Sequence, residues 1–302
     1  MKVDMRTVIA GVEWKNPVTT ASGTFGSGME YAEFFDLGRL GAVTTKGVAS
    51  TAWTGNKTPR VAETTGGMLN AIGLQNPGID TFLSRDLPFL SRYDTRVIVN
   101  VCGKSEKEYC EVVEKLSEYP EVDLLEINIS CPNVKEGGIA FGQDPKAAER
   151  ITREVRRIAK QPVIMKLSPN VTSIAQMARA VEEAGADAVS LINTLTGMKI
   201  DVKRRAFALA NRTGGLSGPA IHPVAVRMVY EAAHAVKIPV IGMGGIMTGE
   251  DALEMIMAGA SAVAVGTATF RDPKAPARVV EEIEAFMKEE KVQSLSELIG
   301  CV

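Results

Sequence analysis

Eight short apolar, β-branched runs recur along the 302 residues, and a helical pattern follows most of them. They are PVTTA (17–21), AVTTK (42–46), VIVNV (97–101), LLEINI (124–129), VIMKL (163–167), AVSLI (188–192), PVIGM (239–243) and AVAVG (262–266). Runs that stay apolar without alternation belong to parallel strands covered on both faces. Eight of them alternating with helices over about 250 residues is the arithmetic of a (β/α)8 barrel. A doubly wound open sheet is the rival, but it usually has fewer strands and an early glycine fingerprint. No Pro/Ser-rich linker interrupts the pattern. The sequence therefore reads as an α/β chain, a single (β/α)8 TIM barrel domain over residues 1–302, with long loops at its C-terminal face.

Helix starts support this division. Ser105 with Glu108 reads as a capping box, and Asp144-Pro145 as an N-cap followed by proline at the first helical position. Ser173 with Gln176, and Thr248 ahead of Glu250 and Asp251, mark two more starts. LGAVTT (40–45), AGADAVSL (184–191) and AGASAVAV (258–265) each join a helix end to a strand through a glycine, read as a left-handed helix stop. Two connections, 47–80 and 193–223, are too long for plain turns, and long irregular segments are usually functional or mobile.

Charge and cysteine usage remove several classes of function. The net charge is -2 with no long basic run, so the electrostatic footprint of a nucleic-acid binder is missing. No apolar stretch approaches the ~18 residues of a membrane span. Asp4 and Arg6 fall where a signal peptide needs an unbroken apolar core. Cys102, Cys110, Cys131 and Cys301 form no CxxC pair and read as reduced thiols of a cytoplasmic protein.

Barrel enzymes build their sites where the strands end. Here the ends carry Ser22, Thr45-Lys46, Asn100, Asn128-Ile129-Ser130-Cys131, Lys166, Asn193-Thr194, Gly244-Gly245 and Gly266-Thr267. The two glycine turns after the seventh and eighth strands favour phosphate, whose oxygens backbone N–H groups can approach there. Lys46 and Lys166 end apolar strands, where a cation is costly unless it has a partner. They read as fixed positive charge beside an anion, as Schiff-base nucleophiles, or as lysines that snorkel to solvent. Asn100, Asn128 and Asn193, with Asn70 in NAIGLQN, offer amides suited to the carbonyl and N–H edges of a planar ring. His222 and His234 read as structural. Cys131 is the remaining candidate base, at a strand end before Pro132 and a glycine-bearing run (137, 138, 142) that reads as a flexible cover.

Taken together, NISCPNVKEGGIAFGQDP, NAIGLQNPG, VIMKLSPN, LINT, GGLSGPAIHP, GMGGI and VGTATF resemble the class 1 dihydroorotate dehydrogenases, in order from Ser22 to about Phe270. The resemblance implies an FMN-containing barrel that oxidises dihydroorotate to orotate in pyrimidine synthesis. It implies Cys131 as the base at C5, with hydride passing from C6 to the flavin. Ser22, Thr45, Lys46, Asn100, Asn128, Lys166, Ile192 and Gly218 would hold the flavin, with Gly244, Gly245, Gly266 and Thr267 at its phosphate. Lys46, Asn70, Ala71, Ile72, Gly73, Leu74, Asn128, Asn193 and Thr194 would surround orotate.

The CPNVKEGGIAFGQDP loop looks like the NAD-linked subclass, which implies a homodimer within a heterotetramer with an electron-transfer subunit carrying FAD and [2Fe–2S]. The fumarate-using subclass is the nearest alternative. A barrel lyase using Lys166 as a Schiff base, and a non-catalytic binding barrel, are the more distant ones.

Overall fold

The structure, a computed structural model, describes residues 2–130 and 138–302. All eight apolar runs form strands: β1 (Val18–Thr20), β2 (Ala42–Thr44), β3 (Arg96–Val101), β4 (Leu124–Asn128), β5 (Val163–Lys166), β6 (Ala188–Leu191), β7 (Val240–Met243) and β8 (Ala262–Val265). They pair in parallel as one sheet in the order β1-β8-β7-β6-β5-β4-β3-β2. The two end strands meet. Gly41 N–H donates to the Val18 carbonyl at 3.0 Å, and the Thr20 hydroxyl donates to the Thr44 carbonyl at 3.3 Å. The sheet thus curls into the (β/α)8 barrel that the strand count predicts.

Each barrel strand turns one set of side chains to the helices and the alternate set inward. Val97, Val99 and Val101 of β3 pack in the outer cluster with Val112, Val113 and Leu116 of helix Glu106–Leu116. Ile98 points the other way, into a cluster with Ala42, Leu124, Ile164, Ala188, Ile241 and Ala262. Ile9 and Trp14, from the hairpin strands Thr7–Ile9 and Val12–Trp14, join that inner cluster and plug the N-terminal end of the barrel.

Two residues further along five strands, the interior changes character. Thr44, Asn100, Glu126, Lys166 and Ser190 each follow an apolar inward residue by two positions, and all five are buried. The same period of two that builds the apolar plug therefore stacks a polar layer above it, toward the strand C-termini.

All four predicted helix starts are present. Asp144 accepts from Lys146 N–H, Ser173 accepts from Gln176 N–H, and Thr248 with Asp251 forms a full capping box. Ser105 caps its helix through Glu108 N–H, but the Glu108 carboxylate reaches Lys104 N–H at 2.8 Å instead of closing the box. Gly185 and Gly259 hold the expected left-handed backbone, at φ +99° and +115°. Gly41 does not. A Cβ there would lie 1.9 Å from the Asn16 carbonyl oxygen, so close backbone approach excludes a side chain.

The two long connections are not irregular. Val61–Thr64 and Gly67–Asn70 from the first join Leu195–Met198 and Thr213–Ser217 from the second in a four-stranded antiparallel sheet. Among the described residues, no helix is long and apolar enough to cross a membrane.

Candidate active site

A cleft of about 420 Å³ opens at the strand C-termini, a size typical of small-molecule sites. The polar layer lies beneath it and reaches it through Lys166. Lys166, at the end of β5, is 4 % exposed and lies 3.3 Å from the Ser22 hydroxyl and 4.0 Å from the Glu126 carboxylate. Burying a cation this deeply is costly without an opposite charge and hydrogen-bond partners. Glu126 supplies that charge, and it also accepts from Asn100 Nδ2 at 2.5 Å and Ser190 Oγ at 2.7 Å.

One wall is backbone. Gly218, Gly244, Gly245, Gly266 and Thr267 line it, and the Thr267 hydroxyl donates to Ser217 Oγ at 2.7 Å. Gly245 has φ +74°, and a Cβ on it would sit 2.7 Å from His222 Cβ and 2.9 Å from the Gly218 carbonyl. His222 faces the Gly244 carbonyl through Nδ1 at 2.9 Å. A carbonyl can only accept, so Nδ1 carries the hydrogen and ties the turn to helix His222–Ala233.

The opposite side carries Lys46, Asn70, Ile72, Gly73, Leu74, Asn128, Asn193 and Thr194. The 70–76 loop is held in place by its own asparagines and a neighbour: Asn56 Nδ2 donates to the Ala71 carbonyl at 3.0 Å, and Asn76 Nδ2 to the Leu74 carbonyl at 2.9 Å. Leu74 sits at φ +52°, an uncommon value for a side-chain-bearing residue, directly on the cleft.

Sixteen of the residues read from the sequence as site residues line this cleft: Ser22, Lys46, Asn70, Ile72, Gly73, Leu74, Asn128, Lys166, Ile192, Asn193, Thr194, Gly218, Gly244, Gly245, Gly266 and Thr267. Thr45, Asn100 and Ala71 do not; they are buried behind it. Thr45 accepts from Asn100 N–H at 3.3 Å, and Asn100 spends its side chain on Glu126 and Asn128. Cys131 lies outside the described residues. Gly142 belongs to helix Gly138–Gln143, not to a loose loop, and a Cβ on it would fall 2.1 Å from the Ile129 carbonyl. Its missing side chain serves close packing on the end of β4.

Glu126 and Ser190 escaped the sequence reading. Their signal was there: a carboxylate inside LLEINI, two positions before Asn128 and so on the same strand face. Arg60, Met68, Ser217 and Phe270 also line the cleft without a sequence signal that singles them out.

This donor set, a buried cation, amides and a backbone-lined turn, suits a planar polar ring with an anionic appendage. A family model described as "Dihydroorotate dehydrogenase" matches residues 4–287. The chain belongs to the dihydroorotate dehydrogenase family. It is 70% identical over 294 residues to the "Dihydroorotate dehydrogenase B (NAD(+)), catalytic subunit" of Lachnoclostridium phytofermentans, covering 97% of this chain and 98% of that one. The subunit of the same description from Alkaliphilus metalliredigens is 59% identical over 301 residues, covering 100% and 99%. Among solved structures, DHODH from Eimeria tenella in complex with ferulenol superposes with a TM-score of 0.82 at 22% identity, covering 99% of this chain and 88% of that one. At that identity the likeness is one of fold, and it places this dihydroorotate dehydrogenase family member among the barrels.

Proposed function

We propose that this chain is the catalytic subunit of an NAD-linked dihydroorotate dehydrogenase, oxidising dihydroorotate to orotate in pyrimidine biosynthesis. The observation that carries this reading is one cleft in which strand-end lysines and asparagines face a glycine-lined turn. The names of the chain's relatives supply the substrate and the acceptor.

The cleft residues fit flavin mononucleotide. Lys166 and Ser22 offer a buried cation and hydroxyl to the polar edge of a ring system, and the Gly244–Gly245 turn with Gly266 and Thr267 offers backbone to a phosphate. When bound, FMN would accept hydride from C6 of dihydroorotate. The rest of the chemistry belongs to the chain. Asn70, Asn128, Asn193 and Thr194 hold the ring by its carbonyl and N–H edges. Cys131, as thiolate, takes the proton at C5, α to a carbonyl, and the C5–C6 double bond forms as the two hydrogens leave. Lys46 and Lys166 place positive charge where negative charge develops. Thr45, Asn100 and Ala71 act from behind, by holding the groups that touch the ligands.

Electrons leave to NAD through a separate subunit carrying FAD and [2Fe–2S], in a heterotetramer built on a homodimer of this chain, in the cytoplasm. The test is direct. Purified protein should bind FMN and turn yellow, and added orotate should perturb the flavin absorption. A colourless protein that takes up no FMN ends the reading.

A further inference from the structure

Beneath the cleft runs an unbroken line of hydrogen bonds whose direction can be read atom by atom. Glu126 accepts from Asn100 Nδ2 at 2.5 Å, which turns Asn100 Oδ1 toward Asn128. Asn128 Nδ2 donates to that oxygen at 3.3 Å, which leaves Asn128 Oδ1 to accept from Ser130 N–H at 3.2 Å and Ser130 Oγ at 2.9 Å. Ser130 Oγ in turn accepts from Asn193 Nδ2 at 2.8 Å, while the backbone itself orients Asn193, its Nδ2 donating to the Ser130 carbonyl at 3.1 Å and its Oδ1 accepting from Thr194 N–H at 2.8 Å.

An asparagine amide can sit either way round in nearly the same space, and only its partners decide which end is the donor. Here the first partner is a carboxylate, which only accepts, and a later one is a backbone N–H, which only donates. A flipped Asn100 would set its oxygen against the Glu126 carboxylate and its nitrogen against Asn128 Nδ2. Acceptor would meet acceptor, and donor would meet donor. Neither Glu126 nor Asn100 lines the cleft, whereas Asn128 and Asn193 do.

We propose that Glu126 is a positioning residue of this enzyme, whose carboxylate fixes the donor and acceptor ends of Asn100 and, through it, steadies the orientation of the cleft amide Asn128. This rests on the assignment of the cleft to dihydroorotate and orotate. A second role for Glu126 competes on the same geometry, since it also lies 4.0 Å from Lys166 and could serve only to balance that charge. The two roles make opposite demands. Orientation needs reach to Asn100 but not charge, because a glutamine can accept from Asn100 through Oε1 while the Ser190 hydroxyl turns to accept from Nε2. Charge balance needs the charge but tolerates a shorter arm.

The experiment compares Glu126→Gln with Glu126→Asp in the FMN-loaded protein, reading orotate dissociation constant from the flavin absorption change and retained FMN from its release on denaturation. Both variants conserve polarity and differ from the parent by one atom type or one methylene. Orientation predicts that E126D retains FMN yet binds orotate about tenfold more weakly, while E126Q stays within about threefold of the parent. Orotate binding by E126D equal to the parent, or E126Q weakened as much as E126D, would overturn the proposal alone. An unmutated protein that binds no orotate would overturn the assigned activity, and this inference with it.

Discussion

Lys166 and Glu126 show how single residues bind the barrel to its site. A lysine with 4 % exposure and a glutamate with 2 % share the interior at 4.0 Å. Removing one member of such a pair leaves the other charge buried with nothing opposite it. Lys166→Met should therefore lower the unfolding free energy by about 3 kcal/mol, the low end for such a loss because Asn100 and Ser190 still satisfy Glu126. Adding Glu126→Gln should recover part of that loss, which urea unfolding of both variants with and without added FMN checks. Equal or additive losses would mean the two charges do not interact. The proposed base, Cys131, is tested at the same scale. Cys131→Ser should keep its flavin but be bleached by dihydroorotate at least about a hundredfold more slowly at pH 7, the usual weight of a general base. Its rate should climb as pH rises, because a hydroxyl ionises far less readily than a thiol. Undiminished bleaching would take the base role from Cys131.

Among the elements, those with a local signal were legible in the sequence and those without were not. Continuous apolar runs gave the eight strands, and side-chain caps such as Thr248 with Asp251 gave the helix starts. The four-stranded sheet over the cleft gave no such sign. Its strands GMLN and TGGLS are short and glycine-bearing, and Asn70 pairs with a residue 145 positions away. Helix Gly138–Gln143 was hidden for a related reason: glycine reads as flexibility in a sequence, while Gly142 is needed because Ile129 comes so close. Gly142→Ala should cost about 1–3 kcal/mol through overpacking against a carbonyl that cannot move without shifting β4. Orotate binding should weaken alongside, since the same strand end carries Ser130 and its bonds to Asn128 and Asn193. A variant as stable as the parent in urea would show that the helix can shift at no cost.

For the whole molecule, the cleft residues were more legible than the network beneath them. Strand-end reading and family resemblance found sixteen of the residues that line the cleft. Glu126 and Ser190 do not line the cleft, and only the folded barrel brings Ser190 to Glu126 and Glu126 to Asn100. The proposed division of labour between subunits also belongs to this scale. The chain alone should reduce NAD poorly with dihydroorotate as donor, and adding the iron–sulfur subunit should raise that rate by at least about tenfold, followed by NADH absorbance. Efficient NAD reduction by the isolated chain would remove the need for that partner. The central claim is that this cleft couples dihydroorotate to bound FMN, and anaerobic mixing of the FMN-loaded protein with dihydroorotate tests it most directly. The flavin absorption should be lost, with one orotate formed per flavin. A flavin that stays oxidised in excess dihydroorotate would contradict it.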